Sequence, residues 1–111
     1  MSAEVLGRLY ADGACQEQIG VTFTCPGCGM YHAPRIAPFQ GGPVWGFNGD
    51  YVRPTLTPSL LVTWTWGEQR ERRVCHSFIT DGQIQFLSDC THPLAGQTVP
   101  LPPLAGGKGE G

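Results

Sequence analysis

Charge is scarce in this chain. Only 14% of its 111 residues are Asp, Glu, Lys or Arg, and seven basic against nine acidic side chains leave a net charge of −2. Without a basic surface to release counterions from phosphates, nucleic-acid binding is disfavoured. Long apolar runs are missing too, since no stretch approaches the ~18 apolar residues of a membrane-spanning helix. The residues up to Cys25 include Glu4, Arg8, Asp12 and Glu17 and lack a continuous apolar core, so no secretory leader is expected. A cytoplasmic location follows as the expectation, with a protein as substrate or partner and neither nucleic acid nor membrane involved.

Sixteen glycines and ten prolines leave no room for long helices. Between them lie short runs of β-branched and aromatic residues. The expected fold is mainly β: a small antiparallel meander or sheet with a zinc knuckle and little helix. One domain should occupy residues 1–104, followed by a flexible Gly-rich tail over 105–111. The five cysteines are an odd number, which argues against a disulfide set, and in a reducing compartment thiols more often bind metal or react.

Val21 to Cys25 alternates as a strand and runs into Cys25-Pro-Gly-Cys28-Gly29. Two cysteines separated by Pro-Gly make a tight turn whose amides can face both sulfurs and favour the thiolates that zinc requires. Met30 to Ile36 should return antiparallel, with Pro34 restricting it to an edge. A thioredoxin-like pair would need a helix in a βαβ setting, and here strand, turn and strand surround the motif. Two more ligands must come from His32, Cys75, His76, Cys90 or His92. His32 and Cys75 are favoured, because they leave His76, Asp89 and His92 free for other chemistry.

The most legible element is Val74 to His92, where Asp81-Gly82 separates two alternating runs. Asp-Gly is suited to a type I′ turn, which needs positive φ at both centres. Thr80 then pairs with Gln83, Ile79 with Ile84, Ser77 with Phe86 and Cys75 with Ser88. Period-two geometry sends His76, Phe78, Leu87 and Asp89 to the same face, so His76 and Asp89 can meet diagonally. Upstream, Trp45 to Asp50 reads as a strand entering an Asn-Gly turn, and Arg53 to Ser59 as a rigid Pro-restricted connection. Leu60, Val62, Trp64 and Trp66 form the apolar stripe of the next strand, and Gln97 to Leu101 a last short one.

Four motifs in order, Cys25-Pro-Gly-Cys-Gly with His32, Trp45-Gly-Phe-Asn-Gly-Asp, Arg53-Pro-Thr-Leu-Thr-Pro-Ser59 and Cys75 through Leu101, resemble a small phage and prophage family of unknown function. Many of its members carry the label "ammonia monooxygenase", which the chemistry rejects: the chain has neither a membrane span nor a His-rich copper cluster. The same motifs resemble the peptidase-like component of bacterial ubiquitin-like conjugation operons. That resemblance implies a zinc-stabilised hydrolase cutting after a ubiquitin-like C-terminus. Ser59 closes the Pro-rich motif, His76 follows Cys75, and Asp89-Cys90-x-His92 stands where relatives often have Asp-Ser-x-His. Two nucleophiles are open: Ser59 with His76 and Asp89, or Cys90 with His92. A third arrangement puts His76, Cys90 and His92 around a catalytic zinc, with Asp89 or Glu71 as base. A non-enzymatic module that contacts a protein partner through its tryptophan-bearing sheet is the alternative from another class.

Overall fold

The computed structural model describes residues 3–11 and 17–104; the expected tail over 105–111 lies outside them. Eight strands follow in chain order: β1 Gly7–Tyr10, β2 Gln18–Thr24, β3 Tyr31–His32, β4 Gly46–Phe47, β5 Leu56–Trp66, β6 Glu71–Thr80, β7 Gln83–Phe86 and β8 Thr98–Pro100. They form two antiparallel sheets, one of order β1-β2-β3 and one of order β4-β5-β6-β7-β8. The described residues contain no helix, as the composition predicts.

Alternation decides which face of each strand is buried. On β6 the side chains of Cys75, Ser77 and Ile79 point inward and those of Phe78 and Thr80 outward, and on β7 Ile84 and Phe86 are the buried pair. These meet Val21, Phe23 and Cys25 of β2, Leu56 and Leu60 of β5, and Leu6, so both sheets share one core. Each fully buried Phe, Leu or Ile contributes about 1.5–3 kcal/mol over an exposed one. The stripe on β5 changes character along its length. Leu60 is core and Trp64 packs against it, whereas Trp66 is 63% exposed.

Asp81 (φ 52°) and Gly82 (φ 81°) both take the left-handed conformation, and the expected register is present from Thr80↔Gln83 to Ser77↔Phe86. The ladder stops there. Ser88 is not paired with Cys75, because the chain turns: the Leu87 N–H donates to His76 O at 2.9 Å and the Cys90 N–H to Leu87 O at 3.2 Å. A second departure concerns Arg53 to Ser59, whose last residues are strand and not a connection. Register runs from Leu56↔Ile79 to Leu60↔Ser77, which sets Thr57, Pro58 and Ser59 against Phe78 alone. The result is a β-bulge, a device that re-aims a side chain without ending the strand.

Candidate active site and metal centre

Ser59 leaves the bulge of β5 toward β6. Its Oγ lies 3.1 Å from His76 Nε2, and His76 Nδ1 lies 3.0 Å from Asp89 Oδ2. Serine, histidine and carboxylate thus form one hydrogen-bonded chain across three segments. Because Nδ1 faces a carboxylate it carries the ring proton, so Nε2 is free to accept from the Ser59 hydroxyl. Asp89 is more than half exposed, whereas the histidine ring is largely covered. The serine backbone is anchored as well, since the Trp45 indole N–H donates to Ser59 O at 3.2 Å.

Cys90 and His92 are not part of this chain. Cys90 is buried, and its sulfur accepts the His76 N–H at 3.2 Å and donates to His76 O at 3.2 Å. A thiol engaged on both sides with backbone is a clamp on that backbone. Its neighbour Thr91 does the same for Val74: Thr91 Oγ1 accepts the Val74 N–H at 2.9 Å, and the Thr91 N–H donates to Val74 O at 2.9 Å. Leu87 to His92 therefore replaces the missing ladder beside β6 and holds His76 in place.

His92 points the other way, toward the Cys25-Pro-Gly-Cys28 turn. Its ring packs edge-on against Phe86 at 4.5 Å, and any Cβ on Gly27 would run into it. That contact explains the glycine at this point of the turn. His92 Nδ1 accepts the Leu94 N–H at 3.3 Å, so the ring proton sits on Nε2. Nε2 is buried without a nitrogen or oxygen partner, and the donor atoms of Cys75, Cys90 and His92 lie within 4.8 Å of one another. His92 thus adjoins the thiols of Cys75 and Cys90, a second group whose donor atoms lie close enough together to hold an ion. The catalytic zinc of His76, Cys90 and His92 is not formed, since His76 is taken by Ser59 and Asp89.

The four favoured ligands do converge. Donor atoms of Cys25, Cys28, His32 and Cys75 all lie within 4.8 Å of one another, with Cys25 Sγ 3.7 Å from Cys75 Sγ and Cys28 Sγ 3.3 Å from His32 Nε2. A tetrahedral ion with metal–sulfur bonds near 2.3 Å sets its sulfurs about 3.8 Å apart, so the donor set fits a metal. Electrostatics prepare it. A hydrogen bond from the Cys75 thiol, aided by His32 and the Cys28 amide, pulls Cys25 down to about 3, despite its burial. Burial pushes Cys28 up to about 11, and Cys75 is pushed up because it holds the proton shared with Cys25. One thiolate is therefore in place, and an ion must displace the other protons.

The structure brings Ser59, His76 and Asp89 together, and separately Cys25, Cys28, His32 and Cys75; sequence reasoning missed Trp45 and Thr91, whose roles are contacts with backbone distant in sequence. The family pattern of the bacterial ubiquitination-like system serine protease (BubE) matches residues 2–87, a span that holds Ser59, His76 and all four cluster residues. No curated protein and no solved structure matches the chain. With more than half of its length matched, the chain belongs to the BubE family of bacterial ubiquitination-like system serine proteases.

Proposed function

We propose that the protein is a serine peptidase of a bacterial ubiquitin-like modification system, cutting after the C-terminus of a ubiquitin-like protein, with a structural zinc. The observation that carries this reading is the continuous Ser59–His76–Asp89 hydrogen-bond chain, at 3.1 and 3.0 Å. Ser59 Oγ attacks the scissile carbonyl carbon while His76 Nε2 takes its proton. Asp89 holds the Nδ1–H and stabilises the imidazolium. That proton then passes to the leaving nitrogen as the C–N bond breaks, leaving an acyl-serine, which water hydrolyses with His76 again as base. Cys25, Cys28, His32 and Cys75 would hold a zinc with four protein ligands, the donor set expected of a structural ion. It ties β3 and the knuckle to Cys75, the residue before His76.

The phage or prophage origin and the cytoplasmic location are part of the same proposal and rest on the motif resemblance and on charge patterning. No helix among the described residues is long and apolar enough to cross a membrane. The test is labelling of the zinc-loaded protein with a fluorophosphonate. One adduct is expected, on Ser59, lost in Ser59→Ala and His76→Ala and kept in Cys90→Ser. An adduct on another residue, or no adduct with the protein folded, overturns the assignment.

A further inference from the structure

β5 has an open edge beside the reactive serine. Its eleven residues pair with β6 along most of their length, but β4 covers only Leu56 and Thr57 on the other side. Hydrogen bonds of β6 reveal which β5 groups face outward. The His76 N–H and C=O are used by Cys90 and Leu87, and those of Val74 by Thr91, all on the side away from β5. His76 pairs with Leu61 and Val74 with Thr63, so both are the non-hydrogen-bonded type of antiparallel pair. The N–H and C=O of Leu61 and Thr63 therefore point to the open edge, and by the same alternation so do those of Thr65. No backbone partner meets them among the described residues.

That edge borders a cavity of about 230 Å³, walled by Tyr31, Pro34, Trp45, Leu60, Leu61 and Val62. Across it lies β3, whose one ladder partner is β2. Two features argue for an occupant with a peptide backbone and an aliphatic side chain. Alternating donors and acceptors at a strand edge match an extended polypeptide, and exposed apolar side chains stand beside them, Leu61 being 57% exposed and Tyr31 71% exposed, with His32 adding a polar part to the wall. Trp45 links the cavity to the segment that carries the serine, since it lines the one and donates to Ser59 O in the other.

We infer that the segment preceding the scissile bond binds as an added antiparallel strand on β5, pairing with Leu61 and Thr63 and placing an aliphatic side chain in the Trp45–Tyr31–Leu61 cavity. β5 runs away from Ser59, so an antiparallel guest runs toward it and delivers its carboxyl end to the nucleophile. A parallel guest would present its amino end. The inference rests on the peptidase reading and adds its recognition mode: substrates are selected by an extended, aliphatic stretch before the cut.

The test uses the zinc-loaded, ¹⁵N-labelled Ser59→Ala protein and the peptide acetyl-Lys-Val-Thr-Leu-Ala-amide. Saturable amide shifts and slowed hydrogen exchange are expected at Leu61 and Thr63. Exchange at Val62 and Trp64, already bonded to β6, should stay unchanged. Thr63→Pro removes an outward N–H without touching the β6 ladder and should weaken binding at least ~10-fold. Replacing the peptide leucine by aspartate should weaken it as well. No saturation at millimolar peptide, or shifts confined to other residues, overturns the inference. The two readings fail separately: Ser59 labelled by fluorophosphonate with no effect at Leu61 and Thr63 removes this one, and strand pairing without labelling removes the peptidase.

Discussion

At the residue scale, the side chains from Asp89 to His92 divide three tasks. Asp89 bonds the His76 ring, Cys90 clamps the His76 backbone, and His92 packs on Phe86 beside the thiols of Cys75 and Cys90. Since a hydroxyl can accept the same N–H and donate to the same C=O, Cys90→Ser should leave kcat/KM within about threefold. Cys90→Ala strands the His76 N–H, while the His76 C=O keeps the Leu87 N–H, and should cost about 1–3 kcal/mol in denaturant unfolding. Ser59→Ala should lower kcat by roughly 10⁴-fold or more. Asp89→Asn should cost less than the roughly 10⁴-fold seen for a buried triad aspartate, because water screens an exposed carboxylate. His92→Ala should keep one bound zinc, counted by metal analysis, since Cys25, Cys28, His32 and Cys75 form a group of four without it. Loss of the ion altogether would make His92 a ligand.

At the element scale, the knuckle and the bulge meet at the Cys75-His76 step of β6. Cys25 and Cys28 sit after β2, His32 on β3 and Cys75 on β6, so one ion would fasten the three-stranded sheet to the strand that carries the base. With Cys25 held ionised and Cys28 and Cys75 held protonated, zinc uptake near neutral pH should release about two protons. Calorimetry in buffers of differing ionisation enthalpy reads that number. The sign follows: affinity rises with pH, since protons and metal compete for the same sulfurs. The β6–β7 turn makes its own demand. Gly82 has φ 81° and faces Arg53 Cα, so Gly82→Ala should destabilise the fold by about 1 kcal/mol or more.

At the scale of the whole molecule, Cys25 and Cys75 of the candidate metal site pack in one buried cluster with Phe23, Phe86 and Cys90, and Cys90 in turn bonds the His76 backbone. Stripping the ion should therefore abolish fluorophosphonate labelling in step with loss of near-ultraviolet circular dichroism. Labelling lost while the tertiary signal persists would give the metal a part in the chemistry, contrary to the structural role argued above.

What could be settled by sequence alone was local. Asp81-Gly82 determined a turn and, through period-two alternation, put His76 and Asp89 on one face; Cys25-Pro-Gly-Cys28 determined a ligand pair; glycine and proline content determined the class. These depend on φ preferences and nearest neighbours, which the chain carries with it. Tertiary structure alone decided the roles of residues whose partners are far away in sequence. Ser59 reaches His76 because a three-residue bulge shifts the β5 register. Cys90 clamps His76 because β7 ends at Phe86, leaving the His76 N–H to be satisfied by a side chain. The open edge of β5 exists because β4 is only two residues long, and no local pattern in β5 itself reports the length of its neighbour.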